Sequence, residues 1–440
     1  MVFHGPGHHH LPRPEDGLAE RHPELEWWCT PGLFLELAGG GEIVGLARLD
    51  LPLDHRPCPG VLPGEVRAAR VGDQDLKTPA DPVGEKTRRS HGTRHYAGPV
   101  TALATYSGAG PLHYDLDSRL QLGRSESLSV GVKRFSTEQF ELAASGFFDG
   151  EEEFAGAVHQ ARKSLKRVRA LLGLIHGELG DRVFRYEDTT LRDTSRMLAE
   201  TRSATAVASA ANLIRDLYGE FLAEGAFEEM ILRIERRRDV IQLGAMEDPN
   251  LVGRVVHNLE KAYVRYSSWP TDPDARETYG MGIRDSFEAI GPGLGDTYSD
   301  GRRRMVTAYT SPTGRNFHQW RKKVKSLRHQ MEFLVPLWPE VIGGLVVTLD
   351  RLGFILGEDH DHADLLDLLR ARPDLCPSPR ERSVFFALVT QRRSELTVAA
   401  EILGRRVYAE KPGSLRSRFG EYWDSRALAL NSPLDTLVVY

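Results

Sequence analysis

Apolar residues recur at helical spacing along the chain from about Asp117 onward. In the segment 154–175, Val158, Ala161, Leu165, Val168, Leu172 and Ile175 step by three and four, which places them on one stripe of an amphipathic helix. The same period predicts further helices over 127–147, 188–198, 203–222, 227–243, 251–267, 317–334, 339–356, 362–369, 379–403 and 414–427. Gly177 and Pro336 read as stop signals after the helices that begin at Phe154 and Phe317. Strand alternation is nearly lacking, so the body is expected to be all-α.

The first 115 residues have a different texture, rich in Gly, Pro, His and Arg, with little sustained periodicity. Runs at 33–37 and 43–51 suit short strands, but no pairing partner is evident, and a disordered or loosely packed extension is expected over 1–115. The triplet His8-His9-His10 reads as incidental. The helical body then spans 116–435, in halves of about 116–280 and 281–435.

The halves are suggested by a gap-free internal match. Val158-His-Gln-Ala-Arg-Lys-Ser-Leu-Lys-Arg-Val-Arg169 aligns with Phe317-His-Gln-Trp-Arg-Lys-Lys-Val-Lys-Ser-Leu-Arg328 at an offset of 159 (317 minus 158). His159 pairs with His318, Arg162 with Arg321, Lys163 with Lys322, Lys166 with Lys325, and Arg169 with Arg328. The second stripe, Phe317, Trp320, Val324, Leu327, Met331 and Leu334, repeats the first. At about 100° per residue, His159, Lys163 and Lys166 project opposite the apolar stripe. Neither copy interposes an Asp or Glu among its cations. Like charges at i,i+4 cost a few tenths of a kcal/mol each, so two helices that both accept the repulsion call for an external anion. Arginine offers bidentate contacts to phosphate and lysine a mobile point charge. Cations on successive turns, about 5.4 Å apart, suit a linear anion better than a single small phosphate. Arg196 and Arg302 are candidate additional contacts.

Composition confines this basic character to a local surface, because the 440-residue chain carries a net charge of -5. Three cysteines, Cys29, Cys58 and Cys376, form no CxxC pair and suit a reducing compartment. With no apolar signal-like core near the start and no run of about 18 apolar residues, a cytoplasmic protein without membrane partners is expected.

With the two HQxRKxxKxxR helices in hand, the chain resembles the CHAD family, the conserved histidine α-helical domains, over roughly residues 118–430. The resemblance includes Gly293-Leu294-x-x-Thr297-Tyr298-x-x-Gly301-Arg302, Leu337-Trp338-Pro339, Leu356-Gly357-Glu358-Asp359-His360-Asp361, and the segment from Gly404 to Pro412. It implies two pseudo-symmetric antiparallel helical bundles with a basic surface that binds inorganic polyphosphate, and it suggests association with polyphosphate granules. The implied ligand residues are those of the matched helices: His159, Arg162, Lys163, Lys166, Arg169, His318, Arg321, Lys322, Lys325 and Arg328. One departure is Arg202-Ser203, where the family tends to have Arg-Asp; the second half keeps an acid, Asp361. No ExExK strand of a fused triphosphatase occurs, since Trp28 follows Glu24-Leu25-Glu26 where the lysine would stand. A binding module without cofactor or metal is therefore expected, rather than an enzyme. Two alternatives stand beside it. The run Glu358-Asp359-His360-Asp361-His362-x-Asp364 has the residue types of a metal-dependent phosphohydrolase. Nucleic acid shares the phosphate chemistry, but base recognition wants exposed aromatics, whereas Phe317 and Trp320 fall on the apolar stripe.

Overall fold

A computed structural model describes residues 26–30, 33–38, 42–47, 117–147, 154–272 and 282–430. Every described helix belongs to one compact unit of the chain. Three short strands, β1 (Glu26–Thr30), β2 (Leu33–Ala38) and β3 (Glu42–Ala47), pair in that order. The runs at 33–37 and 43–47 thus do find partners, which the sequence did not reveal; residues 48–51 lie outside the described residues. The His8-His9-His10 triplet and the rest of the proposed loose extension lie outside the described residues.

Among the described residues eleven α-helices follow: α1 (Leu128–Ser145), α2 (Phe154–Leu174), α3 (His176–Met197), α4 (Ala199–Tyr218), α5 (Glu228–Met246), α6 (Pro249–Ser267), α7 (Phe287–Thr310), α8 (Gly314–Phe333), α9 (Pro339–Ala371), α10 (Pro379–Val407) and α11 (Pro412–Leu430). Three of their starts carry a side-chain cap. Asp248 accepts from the backbone N–H groups of Asn250 and Leu251 ahead of α6, with Pro249 in the first turn. Ser378 accepts from the N–H of Glu381 ahead of α10, and Thr313 accepts from that of Asn316 ahead of α8.

The order and pairing of helices repeat. In the first half α1 packs on α2 and α6, α2 on α3, and α4 on α5; in the second, α7 packs on α8 and α11, α8 on α9, and α9 on α10. Helices α1 and α7 start 159 residues apart (287 minus 128), and α2 and α8 end 159 apart (333 minus 174). The halves nevertheless do not keep separate cores. The larger core joins Leu165 and Val168 of α2 to Trp320, Val324 and Leu327 of α8. The smaller joins Val207, Ala211 and Ile214 of α4 to Leu365 and Leu369 of α9 and Phe385 of α10. Each such fully buried large apolar side chain contributes about 1.5–3 kcal/mol.

Several elements differ from the sequence expectation, among them α3, which begins at His176 where a helix from 188 was expected. Helix α7 was not anticipated, because Pro292 and its glycines lower helix propensity; two of the glycines are close approaches instead. A Cβ on Gly293 would lie 2.3 Å from the carbonyl oxygen of Leu174, and one on Gly301 would lie 2.3 Å from the Tyr408 hydroxyl. Helix α9 runs unbroken where two helices, 339–356 and 362–369, were expected. After α2, the turn comes at Ile175, and Gly177 lies within α3; the glycine that breaks helical geometry there is Gly180, at φ +70°.

Candidate anion-binding site

Helices α2 and α8 pack directly against one another, with their apolar stripes inward: Leu165, Val168, Trp320, Val324 and Leu327 are all fully buried. Their basic faces meet at one surface, in a reciprocal arrangement. His159 lies within electrostatic reach of Lys325, and its counterpart His318 within reach of Lys166. Lys163 faces Arg328, and its counterpart Lys322 faces Arg169. Lys166 and Lys325 neighbour each other in the middle. Four of the five predicted pairs thus meet across the join with positions exchanged; Arg162 and Arg321 instead share a neighbour, Arg202.

Helix α9 supports the second copy through two glycines one turn apart. The space a Cβ on Gly353 would occupy lies 3.6 Å from Cγ of Lys325, and that on Gly357 lies 3.4 Å from both Nε and Nη2 of Arg321. The long side chains lie along a trough in α9, which carries their charged ends towards the shared surface.

The ten predicted ligands divide by what already holds them. Arg169 pairs with Asp188 of α3 at 2.9 Å. Arg328 pairs with Glu332 at 3.3 Å and Asp350 at 3.1 Å. Arg162 donates to the carbonyl of Ser195. Among the described residues the ion pairs leave out Lys163, Lys166, Arg321, Lys322 and Lys325, while Lys323 is taken by Asp300 at 2.9 Å. Of the auxiliary candidates, exposed Arg196 pairs with Asp193 at 3.1 Å, and Arg302 is exposed on α7. Arg167, a further cation of the first copy, turns inward, buried and donating to Gln139 Oε1 at 3.2 Å.

Crowding of like charge shows in the acid–base behaviour. Lys166 reaches solvent, yet protein surrounds it on its other sides and that enclosure dominates. Burial and then Arg162, Arg321, Lys325 and Arg202 push its ammonium down to about 7. Burial and Arg321 push Lys325 down to about 8. Burial lowers His159, reinforced by Arg202 and three lysines, and takes His318 to about 4.

Sequence reasoning named three further contributors without placing them in the site. Arg202 of α4 acts on His159, Arg162, Lys166 and Arg321. The His360 ring of α9 lies 4.1 Å from that of His318. Asp361 lies in the surroundings of Arg321 and Lys325. Their signal was the Arg202-Ser203 and His360-Asp361 pair of dipeptides, which stands outside the repeated helix. In the acidic run, Glu358 is engaged by Arg392 at 2.7 Å and Asp359 by Arg393 at 2.8 Å. Among the described residues no group of three or more His, Cys, Asp or Glu is placed to hold a metal ion. Nor is any described helix long and apolar enough to cross a membrane.

The remaining motif residues hold this surface together. Gln330, buried beside the repeat, donates to the carbonyl of Ala170 in α2 at 3.0 Å and to Thr297 of α7 at 3.1 Å. Tyr298 donates its hydroxyl to the carbonyls of Val407 and Glu410. A search among curated proteins returns no match. The family profile described as CHAD domain matches residues 138–370, more than half of the chain, taking in both basic helices. The chain belongs to the CHAD domain family.

Proposed function

We propose that the chain is a polyanion-binding module whose ligand is inorganic polyphosphate, and that its halves arose by duplication as two pseudo-symmetric bundles. The observation that carries this reading is the reciprocal array of Lys163, Lys166, Arg321, Lys322 and Lys325, gathered from two helices onto one surface and left out of the ion pairs among the described residues. Such an array repels itself unless an anion with charges repeated along its length lies against it. The reading involves no catalysis, cofactor or metal, and a cytoplasmic setting with recruitment to polyphosphate granules follows from it. Nucleic acid fits less well. Phe317 and Trp320, the aromatics of the second copy, are 5% and 0% exposed and offer no stacking platform.

Competition at fixed salt tests the choice of ligand. Long-chain polyphosphate is expected to displace single- and double-stranded DNA and RNA from the protein; equal or tighter binding of nucleic acid would sink the polyphosphate reading. Affinity for either falls steeply with salt as counterions are released, so comparisons at unequal salt decide nothing.

Proton uptake gives a second test. His318 at about 4 and His360 at about 3 stay neutral well below pH 6, so these histidines do not supply the protons near neutrality. Lys166 at about 7 and Lys325 at about 8 take over. Phosphate beside a depressed ammonium raises its pKa again, so the complex holds more protons than the free protein and affinity falls as pH rises above those values. A decline is expected between about pH 6.5 and 9. Lys166→Arg with Lys325→Arg should flatten it, because guanidinium stays charged throughout. A flat wild-type profile by calorimetry rejects the coupling.

A further inference from the structure

Helix α5 is apolar on two sides. Met230, Ile231 and Ile234 are buried in the smaller core. Asn212 of α4 donates to Glu235, and Gln242 donates to Thr205 of α4, both at 2.9 Å, which fixes this inner side. On the outer side Leu232, Val240 and Leu243 are 43%, 71% and 50% exposed. Exposed apolar residues scattered singly are ordinary; the spacing sets these apart. Leu232, Arg236, Asp239 and Leu243 step by four, three and four, as the seam of a coiled coil does. At about 100° per residue the four fall within a sector of about 60°, and all four are exposed.

The seam is self-complementary. Both the pair Leu232 and Leu243 and the pair Arg236 and Asp239 are centred on the point between residues 237 and 238. A two-fold axis through that point therefore sets each leucine on the other leucine of a second copy, and each arginine on the other copy's aspartate. Parallel pairing in register would instead set arginine on arginine and aspartate on aspartate. Among the described residues Arg236 enters no ion pair, and Asp239 is engaged at Oδ1 by Arg238 of the same helix at 2.7 Å.

We infer that the outer face of α5 docks on the same face of a second copy of this chain, with the two helices antiparallel. The two Leu232–Leu243 contacts, one on each side of the axis, supply apolar attraction, and Val240 flanks them. The two Arg236–Asp239 pairs beside the axis set direction and register, as polar residues within a seam do. One pair of short helix faces is small beside a standard interface of about 1,600 Å², so the dimer gives way to monomer on dilution. No anion takes part in the contact.

Sedimentation velocity of the full chain, without polyphosphate and over a range of concentrations, tests this. The wild type should pass from monomer to dimer as concentration rises. Arg236→Glu and Asp239→Lys should each weaken the dimer by about a hundredfold, because each substitution creates two like-charge junctions at about tenfold apiece. Mixed in equal amounts, the two variants should associate with each other at close to wild-type strength. The introduced glutamate then meets the introduced lysine at one junction, and the native Arg236 meets the native Asp239 at the other. Leu243→Ser should also weaken the dimer, whereas Val398→Ser on α10, 59% exposed, should leave it unchanged. The altered side chains all lie on the surface, so melting curves close to the wild type are expected; if a charge variant fails to fold, Leu243→Ser carries the comparison. A wild type that stays monomeric at every concentration overturns the inference, and so does a dimer indifferent to both charge reversals. Folded, monomeric variants that do not associate when mixed overturn it too.

Discussion

Reversing the two central charges, Lys166→Glu with Lys325→Glu, should weaken long-chain polyphosphate binding by at least about a hundredfold, because two charge-assisted hydrogen bonds to phosphate are replaced by two repulsions. These lysines neighbour each other where the two copies meet, so each sits inside the field of the opposite helix as well as its own. Their removal therefore affects both halves of the surface at once. The slope of log affinity against log salt should also shallow, by about one for each phosphate that is no longer neutralised. Lys163→Ala with Lys322→Ala, further from the centre, should move affinity and slope in the same direction by less. A wild-type affinity and slope in the double reversal would show that the ligand lies elsewhere. Because self-repulsion is relieved, the variant should melt no lower than the wild type, which separates weakened binding from failed folding.

Gly293→Ala is expected to have the largest effect on stability. The added methyl would stand 2.3 Å from the carbonyl oxygen of Leu174 and 2.4 Å from that of Gly173, both backbone atoms at the end of α2. No rotamer change relieves such a clash; α7 and α2 must separate. Overpacking of this kind costs about 3 kcal/mol, a fall in Tm on the order of 5–10 °C. The same opening would stretch the bonds from Gln330 to Ala170 and Thr297 and loosen the join between the basic helices, so binding should weaken too. Gly295→Ala is the control on the same helix. Its methyl would meet only the end of the Arg416 stem at 3.8 Å, and alanine gains helix propensity of up to about 1 kcal/mol. Equal melting temperatures for the two variants would refute the clamp.

The helical body was legible where periodicity is strong. Helices α2 and α8 begin and end within a few residues of the expected bounds because their stripes step cleanly by three and four. Helix α7 was hidden because its glycines and Pro292 answer to neighbouring helices, information that lies outside the segment itself. The candidate site was legible as two basic faces. Their meeting at one surface was not, since it depends on how α2 crosses α8. Nor was the pairing of Arg169 with Asp188 and of Arg328 with Asp350, because those acids come from other helices. Arg202 was visible only as a departure from the family pattern, since only packing brings it beside His159.

The crowded cations have a consequence for the ligand-free protein. Burial first, and then neighbouring cations, push Lys166 down to about 7 and Lys325 to about 8, so the fold holds the proposed binding surface together against desolvation as well as like-charge repulsion. Simple salt should then act in opposite senses on the two states. Added potassium chloride screens the repulsion and raises the melting temperature of the free chain, while it loosens the complex by competing for the same charges. The anion itself should behave as a folding aid, closing the surface and stiffening the helices around it. A chain of this kind is most fragile when it is dilute, salt-free and alone, and most robust when its cargo is present.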